Sequence, residues 1–389
     1  MNSVAILFWT GIGVVFYSYL GYGILLLFMV KIKNLFRSEP TYDANYLPEV
    51  TLVVPCFNEA DYIEEKIMNS LALNYPKEKL QLIFISDGST DDTHQRIQKY
   101  PQVLALHEPA RNGKAAAMNR AMAYVKAPIV VFCDANTDLN PDAIKEMVKH
   151  YANPQVGAVT GEKRIITKEK ENASGAGEGI YWKYESFLKQ LDSDFYTIVG
   201  AAGELMSYRT SLYKELPKDS LLYDLMQSMQ IDNDGYRVVY EKNAWASETA
   251  SANVGEELKR KVRIAAGAFQ SMGRLPQAFN LIGNFRVSFL FISHRVLRWT
   301  LAPLSLLLIF LSNMFLCWQE GGLYSFIMIG QIVFYAMALL GWYLNNKQIK
   351  VKILFVPYYF FIMNLCMYLG FVRFLRGKQS ANWERAKRA

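Results

Sequence analysis

The sequence predicts an α/β domain with a mostly parallel sheet, held between membrane-spanning helices at both ends of the chain. Three apolar segments, TLVVPCF, LQLIFISD and PIVVFCD, alternate with polar segments of helical period, as in parallel sheets covered by helices. Long uncharged apolar segments occur near the amino terminus and after residue 300. The 389 residues are 52% hydrophobic with a mean hydropathy of +0.05, more than a wholly soluble protein needs.

Residues 1–40 are predicted to form a transmembrane anchor. Val4 to Val30 is uncharged and exceeds the ~20 residues that a spanning helix requires. It lacks a preceding basic segment and a small-residue cleavage site, so a removable signal peptide is the weaker interpretation. Lys31, Lys33 and Arg37 follow directly, and the positive-inside rule then places the next domain in the cytoplasm. We expect an integral, multi-pass membrane protein.

Residues 41–277 are predicted to be this cytoplasmic domain. Its first helix is expected to begin near Asn58, a residue that caps helices well, and to end before Pro76. Parallel sheets of this kind bind ligands at the carboxyl ends of their strands. The residues that follow the three apolar segments are therefore the first candidates for a site.

Residues 278–299 are predicted to be an interfacial amphipathic helix. The segment is apolar, but Arg286, His294, Arg295 and Arg298 interrupt it, which suits a helix that lies in the membrane interface.

Residues 300–375 are predicted to hold three further spans, and residues 376–389 form a basic tail. The spans are Leu301 to Trp318, Leu323 to Leu344 and Ile353 to Val372. One span before the domain and three after it would put the basic tail outside, against the positive-inside rule. Either the interfacial segment crosses the membrane or the last segment, which contains Pro357, is re-entrant. Both alternatives stay open at this point.

The amino-acid composition limits which metal sites, disulfides and binding partners are expected. The four cysteines lie in apolar segments without paired spacing, which argues against a zinc cluster or a disulfide framework. With four histidines in the chain, a catalytic metal is expected to be held by oxygen atoms, which favours Mg2+ or Mn2+ over zinc. The net charge of +7 comes with lysines and arginines that lie beside apolar spans. Membrane lipids are therefore the expected partner, and nucleic acid is not expected to bind.

Two strands are predicted to deliver acidic residues to one edge of the sheet. Asp87 ends the segment LQLIFISD and is a candidate contact for a nucleotide base or ribose, with a turn and helix cap as the alternative at even odds. Asp134 and Asn136 follow the segment PIVVFC, and in an extended chain they would point to the same side. Two oxygen ligands on one side suit a divalent metal that bridges a diphosphate. The alternative is that Asn136 caps the next helix.

Between these strands, Lys114 precedes the small-residue segment AAAMNRAMAYV. A cation at a helix amino terminus suits an anionic ligand such as phosphate, although a solvated lysine is the commoner case.

Taken together, these motifs resemble the family 2 inverting glycosyltransferases of GT-A fold, including the membrane synthases of hyaluronan, cellulose and poly-N-acetylglucosamine. The resemblance covers most of residues 50–275. It implies nucleotide binding by Pro55, Asn58 and Glu59 in Pro-Cys-Phe-Asn-Glu, by Asp87 as the uracil contact, and by Lys114 in Gly-Lys-Ala. It also implies that Asp134 and Asn136 form the Asp-x-Asp metal motif in its Asp-Ala-Asn variant.

The resemblance extends to acceptor binding and catalysis. Gly200, Gly203 and Glu204 match the small-residue loop near which acceptors bind. Asp224 matches the aspartate that ends the family's Glu-Asp motif and acts as general base, although Tyr223 stands in place of the preceding acid. Without the family context, an exposed helix residue would be the favoured interpretation of Asp224.

The last motif departs from the family. Processive synthases carry Gln-x-x-Arg-Trp, whereas this chain has Arg260-Lys-Val-Arg263-Ile264. Arginines bind diphosphate bidentately, so Arg263, assisted by Arg260 one turn earlier, is expected to stabilise the leaving group. A lipid-facing basic patch is the alternative. The missing tryptophan removes a stacking platform for sugar and puts processive synthesis in doubt.

The resemblance implies an inverting, metal-dependent transfer of a sugar from a nucleotide-diphosphate sugar, with UDP as the expected nucleotide, to a glycan or lipid acceptor at the membrane. Exopolysaccharide or cell-surface glycan synthesis is the expected setting, and a partner membrane subunit is a further candidate. Two alternatives stay open: a non-processive enzyme that adds one sugar to a lipid carrier, and a catalytically silent nucleotide-binding membrane subunit.

Overall fold

A computed structural model describes residues 3–36, 42–166, 174–201, 203–249, 254–347, 349 and 351–377. Part of the predicted anchor's end and most of the basic tail lie outside these residues. The strands are β1 Val50–Cys56, β2 Leu80–Asp87, β3 Leu104–Glu108, β4 Ile129–Cys133, β5 Asp138–Leu139, β6 Val156–Ile166, β7 Leu205–Arg209 and β8 Arg237–Thr249. They form one sheet of order β3-β2-β1-β4-β7-β6-β8-β5.

The sheet has a parallel half and a mixed half. Strands β3, β2, β1 and β4 are parallel neighbours, as the three apolar segments predicted. Strand β7 is antiparallel to both β4 and β6, whereas β6 and β8 are parallel and β5 is antiparallel to β8. The whole sheet is therefore mixed, and the expected parallel order holds for its first four strands.

Helices cover both faces of the sheet. Leu52 and Val54 of β1 pack in one buried cluster with Ile63 and Ile67, whereas Val53 packs in the opposite cluster. This alternation explains why the strand is apolar at every position. The helices of the domain are α3 Ile63–Leu71, α4 Thr93–Gln98, α5 Lys114–Met122, α6 Ala143–Val148, α7 Ser174–Phe195, α8 Tyr223–Asn233 and α9 Val254–Arg274.

The prediction that a helix begins near Asn58 was wrong. Helix α3 begins at Ile63, and Asn58 has a φ of 53°, in the left-handed region that asparagine tolerates better than most residues. Its side-chain oxygen accepts a hydrogen bond from the Thr90 amide at 2.8 Å. Asn58 therefore ties the loop after β1 to the loop after β2.

Four helices are long and apolar enough to cross a membrane, and they coincide with the predicted spans. The first is continuous over Ser3–Phe36, with α1 Ser3–Phe16 and α2 Tyr22–Phe36 joined by a π-helical turn at Tyr17–Gly21. The others are α12 Leu301–Gln319, α13 Leu323–Asn346 and α14 Lys352–Leu375.

The segment predicted as an interfacial helix contains α10 Phe285–Phe291, a π-helical turn Ile292–Val296 and α11 Leu297–Trp299. Of its charged residues, His294 is buried and Arg295 and Arg298 are partly buried, whereas Arg286 is exposed. Arg295 pairs with Glu185 of α7 at 2.6 Å, and His294 contacts Asp192 of α7 at 2.5 Å. Three of the four charges that interrupt the apolar segment therefore contact carboxylates of α7, and the fourth, Arg286, lies 5.2 Å from the Tyr196 ring centroid.

Helix α9 connects the sheet domain to α14. A Cβ atom on Gly370 would lie 2.4 Å from the Cβ atom of Ala265, so the two helices approach as closely as a glycine allows. Phe269 of α9 contacts Phe371 at a ring distance of 5.0 Å. The Lys261 ammonium lies 3.2 Å from the Tyr359 hydroxyl, nearer the other end of α14. Helix α14 therefore runs beside α9 for most of its length.

Candidate functional site

A cavity of about 640 Å³ lies where β1, β4 and β7 meet the amino termini of α5 and α8. Helix α9 closes one side. Nine of the predicted site residues line it, and these are Glu59, Lys114, Asp134, Asn136, Gly203, Glu204, Asp224, Arg260 and Arg263. A single cavity of this size, with converging charges at strand ends, has the character of a ligand site.

Asp134 and Asn136 lie in a turn after β4, and not in the extended chain that the sequence suggested. Both line the cavity. The Thr137 hydroxyl donates to the Asp134 carbonyl at 2.9 Å and closes this turn. The Asp134 carboxylate accepts a hydrogen bond from the Lys114 ammonium.

Lys114 is the first residue of α5, where the sequence placed it. Gly113 precedes it with a φ of 90°, a conformation that favours glycine, and so brings the helix start against the cavity. Besides Asp134, the Lys114 ammonium lies 4.5 Å from the Tyr223 ring centroid. The Tyr223 hydroxyl donates to the Gly203 carbonyl at 2.8 Å. Tyr223, which stands where the family motif has an acid, thus packs against Lys114 beside Asp134.

Asp224 lies in the first turn of α8 and faces the cavity. Its carboxylate accepts a hydrogen bond from the Leu225 amide at 2.9 Å. Burial raises the pKa of the Asp224 carboxyl and Glu204 adds to the rise, whereas the Leu225 amide, Lys114 and Lys189 oppose it. A carboxylate with a raised pKa is the form that general bases take in enzymes.

One wall of the cavity contains an ion cluster that the sequence did not predict in full. Glu204 and Glu248 both pair with Lys163, whose side chain is 1% exposed, and Glu204 does so at 2.5 Å. Arg260 lies 3.9 Å from Glu248. Burial alone would raise the pKa of Glu204, but Lys163 and Arg260 together hold it well below its usual value. Lys163 and Glu248 were missed because no motif marks them.

Arg263 faces Asp224 from α9. Within the described residues, no carboxylate lies within 4 Å of its guanidinium, unlike that of Arg260. Burial lowers the pKa of Arg263, and the neighbouring Arg260 and Arg373 lower it further. A partly buried arginine beside two other arginines is stabilised by an anion, and a diphosphate fits this role.

Four predicted site residues lie outside the cavity lining. Pro55 and Asp87 line a smaller adjoining pocket that shares Lys114, where the Arg111 guanidinium stacks 3.7 Å from the Phe57 ring centroid. Asn58 lies in the loop described above. Gly200 lies beside Leu225 and Arg295.

The Asp87 carboxylate is fully engaged by its own chain. It accepts hydrogen bonds from the Asn112 amide at 3.0 Å and the Gly113 amide at 2.7 Å, and pairs with Arg120 at 2.5 Å. In this structure Asp87 holds the loop that leads into α5.

The oxygen donors of the turn fit a divalent cation. Asp134 offers a carboxylate and Asn136 an amide oxygen, and diphosphate oxygens and water would complete the coordination. Six carboxylates and four cationic side chains line the cavity, so an anionic diphosphate enters more favourably together with a divalent cation.

Residues 51–217 match the family model described as glycosyl transferase family 2. Poly-beta-1,6-N-acetyl-D-glucosamine synthase of Staphylococcus aureus (strain MSSA476) is 28% identical over 258 residues, which cover 64% of this chain and 61% of the relative. The protein of the same name from Staphylococcus epidermidis is 26% identical over 261 residues, 65% of this chain and 62% of the relative. The match thus spans about three fifths of these relatives' length.

Among solved structures, a mannosyltransferase from Pyrobaculum calidifontis in complex with GDP-Man and Mn2+ superimposes with a TM-score of 0.73. It is 22% identical, and the alignment covers 96% of this chain and 100% of that one. The two chains share a fold along nearly their whole length.

Proposed function

We propose that this chain, whose residues 51–217 match the glycosyl transferase family 2 model, transfers a sugar, with inversion, from a nucleotide-diphosphate sugar to a membrane-delivered acceptor. One observation carries the proposal. The same cavity holds a carboxylate of raised pKa, Asp224, opposite the arginine Arg263 and beside the turn of Asp134. In a single displacement, the attacking oxygen loses its proton on one side of the anomeric carbon, and negative charge develops on the leaving diphosphate on the other side. A base and cations at these two positions match both changes.

Asp224 is the proposed general base. It takes the proton of the acceptor hydroxyl while that oxygen attacks the anomeric carbon on the side opposite the leaving diphosphate. Lys114 and Lys189 oppose, without cancelling, the rise in the Asp224 pKa that burial causes. Gly203, at the wall beside Asp224, leaves room for the acceptor, since a Cβ atom there would lie 3.0 Å from the Asp224 carboxylate.

Arg263 and Arg260 are the proposed leaving-group contacts, and the turn of Asp134 and Asn136 is the proposed cation site. A bound Mg2+ or Mn2+ would supply charge neutralisation at the diphosphate. Pro55, Glu59 and the loop held by Asp87 and Asn58 are proposed to hold the nucleoside, next to the stacked Phe57 and Arg111. Donor and acceptor are thereby kept aligned.

Gly200 and Glu204 are proposed to shape the acceptor side. Glu204 lines the cavity. Gly200 does not, and its proposed role is indirect: it shapes the loop that leads to Glu204.

We propose that the catalytic domain is cytoplasmic and that three helices, Ser3–Phe36, α12 and α13, cross the membrane. Helix α14 runs beside α9, and α9 carries Arg260, Lys261 and Arg263, which exclude it from the lipid core. Helix α14 then lies at the cytoplasmic interface. Three crossings also place the basic tail in the cytoplasm, in agreement with the positive-inside rule.

The acceptor and product class stay a choice between two enzymes. The similarity to poly-beta-1,6-N-acetyl-D-glucosamine synthases favours a polysaccharide synthase of exopolysaccharide or cell-surface glycan. The cavity favours the alternative, a single addition to a lipid carrier, because Ile264 lines it where processive synthases have a tryptophan. The length of the product chain separates the two.

The test is release of nucleoside diphosphate by the detergent-purified protein with a panel of UDP-, GDP- and TDP-sugars and Mg2+ or Mn2+. We expect release from one donor, which requires the metal and is lost in Asp224→Asn. UDP-sugars, which the family resemblance implies, and GDP-Man, which the Pyrobaculum mannosyltransferase binds, are separate arms of the panel. Nucleotide binding without release under every acceptor condition would instead support a silent nucleotide-binding subunit, with or without a partner membrane subunit.

A further inference from the structure

Lys66 is a buried lysine on the face of α3 that packs against the sheet. Its side chain is 1% exposed and lies among Ile63, Ile67 and Ser70, at the helical spacing of an apolar stripe. Lysines are rarely buried to this degree, because removing an ammonium group from water carries a large free-energy cost. A position that accepts this cost calls for a physical reason.

The contacts of Lys66 supply one. Its ammonium donates to the Thr137 carbonyl at 2.6 Å and to the Cys133 sulfur at 3.0 Å. Cys133 and Thr137 are the two residues that bracket the turn of Asp134 and Asn136. Lys66 therefore joins both ends of the turn from behind, on the side away from the cavity.

A second side chain of the same helix extends this clamp. Asn69, three residues after Lys66, accepts from the Leu139 amide at 2.9 Å and donates to the Leu139 carbonyl at 2.9 Å. Inside the turn, the Thr137 hydroxyl contacts the Cys133 sulfur at 3.1 Å. The segment from Cys133 to Leu139 is thus fixed to α3 at both ends, while its middle faces the cavity.

The electrostatic surroundings favour a cation at this position. Glu59, Asp91, Asp134 and Lys66 all lie close enough to Cys56 to act on its thiol. An apolar side chain in place of Lys66 would leave the Thr137 carbonyl without this donor, and a buried carbonyl that loses its donor destabilises the local structure.

We propose that Lys66 is a positioning residue for the divalent-cation site: its ammonium holds the turn that presents Asp134 and Asn136. The inference rests on the proposed function, in that the cation binds at this turn. Groups behind a metal ligand commonly change metal affinity by about 10–100-fold when they are removed. Lys66 does not line the cavity, so it contacts neither substrate nor metal.

The test is Lys66→Met in the full-length, detergent-purified protein. Methionine fills a similar volume but carries no donor and no charge. The measurement is the affinity for UDP and for GDP by calorimetry, with and without Mn2+, and the quantity of interest is the gain in affinity that Mn2+ gives. We expect this gain to fall by about tenfold, with the metal-free nucleotide affinity unchanged. If repulsion between the lysine and the metal dominated, the gain would rise, and the inference would be overturned.

Lys149→Met is the matched control. Lys149 is 9% exposed in the same domain, but it pairs with Glu146 and Glu241 away from the cavity. We expect it to lower the melting temperature and to leave the Mn2+ gain unchanged. If the wild type shows no gain from Mn2+, the proposed cation site itself fails. If the wild type shows it and Lys66→Met keeps it in full, this inference alone fails.

Lys66→Gln covers the case in which the methionine variant does not fold. Glutamine keeps a polar amide in the buried site but is shorter, so it loses contact with the Thr137 carbonyl. We expect an intermediate loss of the Mn2+ gain, and a folded Lys66→Gln protein with the full gain would overturn the inference.

Discussion

Two clusters of buried charge differ in how far neighbouring cations compensate their carboxylates. The cavity cluster, formed by Lys114, Asp134, Asp224 and Arg263, borders an open volume of about 640 Å³. The membrane-side cluster, formed by Glu185, Asp192, His294, Arg295 and Arg298, is closed. In it Glu185 faces Arg295 at 2.6 Å, Arg298 at 3.4 Å and His294 at 3.6 Å.

The pKa values of the two central carboxyl groups, Asp224 and Glu185, are shifted in opposite directions. Burial raises the pKa of Asp224, and its neighbours do not compensate. Burial would also raise the pKa of Glu185, but Arg295, His294 and Arg298 outweigh it and hold that pKa well below its usual value. Ionised Asp224 therefore lowers the stability of the fold, whereas ionised Glu185 increases it. A charge held at a cost to stability is expected where chemistry needs it.

The largest effect is expected for Asp224→Asn. Loss of a general base lowers the turnover rate by about 10³-fold. Because the variant no longer buries a charge, we expect the melting temperature to stay the same or rise. Turnover and thermal unfolding measured on one preparation test both statements, and a variant that loses activity by unfolding would break the comparison.

Glu185→Gln is expected to show the opposite pattern. Removing one partner of a buried ionic cluster costs about 3 kcal/mol, because Arg295, Arg298 and His294 are left uncompensated. We expect a clear fall in melting temperature, with nucleotide affinity unchanged in the protein that stays folded. Equal stability of variant and wild type would show that the membrane-side cluster is not structural.

Two arginines sharpen the contrast further. Arg263→Met is expected to lower kcat/KM by about 10²-fold at unchanged stability, because it removes a contact to developing charge. Arg298→Met is the matched control, since Arg298 donates to the Ser18 carbonyl at 2.9 Å and contacts Glu185 in the closed cluster. Arg298→Met should lower the melting temperature and leave kcat/KM unchanged. If Arg263→Met lowered the melting temperature and Arg298→Met lowered kcat/KM, the roles assigned to the two arginines would be contradicted.

The smallest effect concerns pH. Because the pKa of Asp224 is raised, the acid limb of the activity profile should lie above the ordinary aspartate value of about 3.9. The folded-state pKa of Glu185 is lowered, so its contribution to stability is present above the ordinary glutamate value of about 4.3 and is lost as the pH falls below it. Activity should therefore disappear at a higher pH than stability. Coincident loss of both would contradict this order.

The sequence predicted those parts of the site that follow apolar strands or begin helices. Asp134 and Lys114 sit where a strand end and a helix start are readable from local pattern, whereas Asp224 was identified only through the family resemblance. The four apolar helices were equally readable, because length and hydropathy are local properties.

Buried charges were not predicted, because their partners are distant in the chain. Glu185 and His294 are more than 100 residues apart, and no local pattern reports such a pairing. A partial signal existed on α7, where Glu185, Lys189 and Asp192 recur at helical spacing beside Leu188 and Leu191. Charges in phase with an apolar stripe indicate a buried ionic cluster. Lys66 on α3 carries the same signal.

The anomeric configuration of the product tests the central claim most directly. If Asp224 acts as the base of a single displacement in this cavity, the sugar is transferred with inversion, so that an α-linked donor gives a β-linked product. Proton NMR of the product formed by the wild-type protein reads the configuration from the anomeric coupling. Inversion is the predicted result, and retention would contradict the role of Asp224 and the account of the cavity built on it.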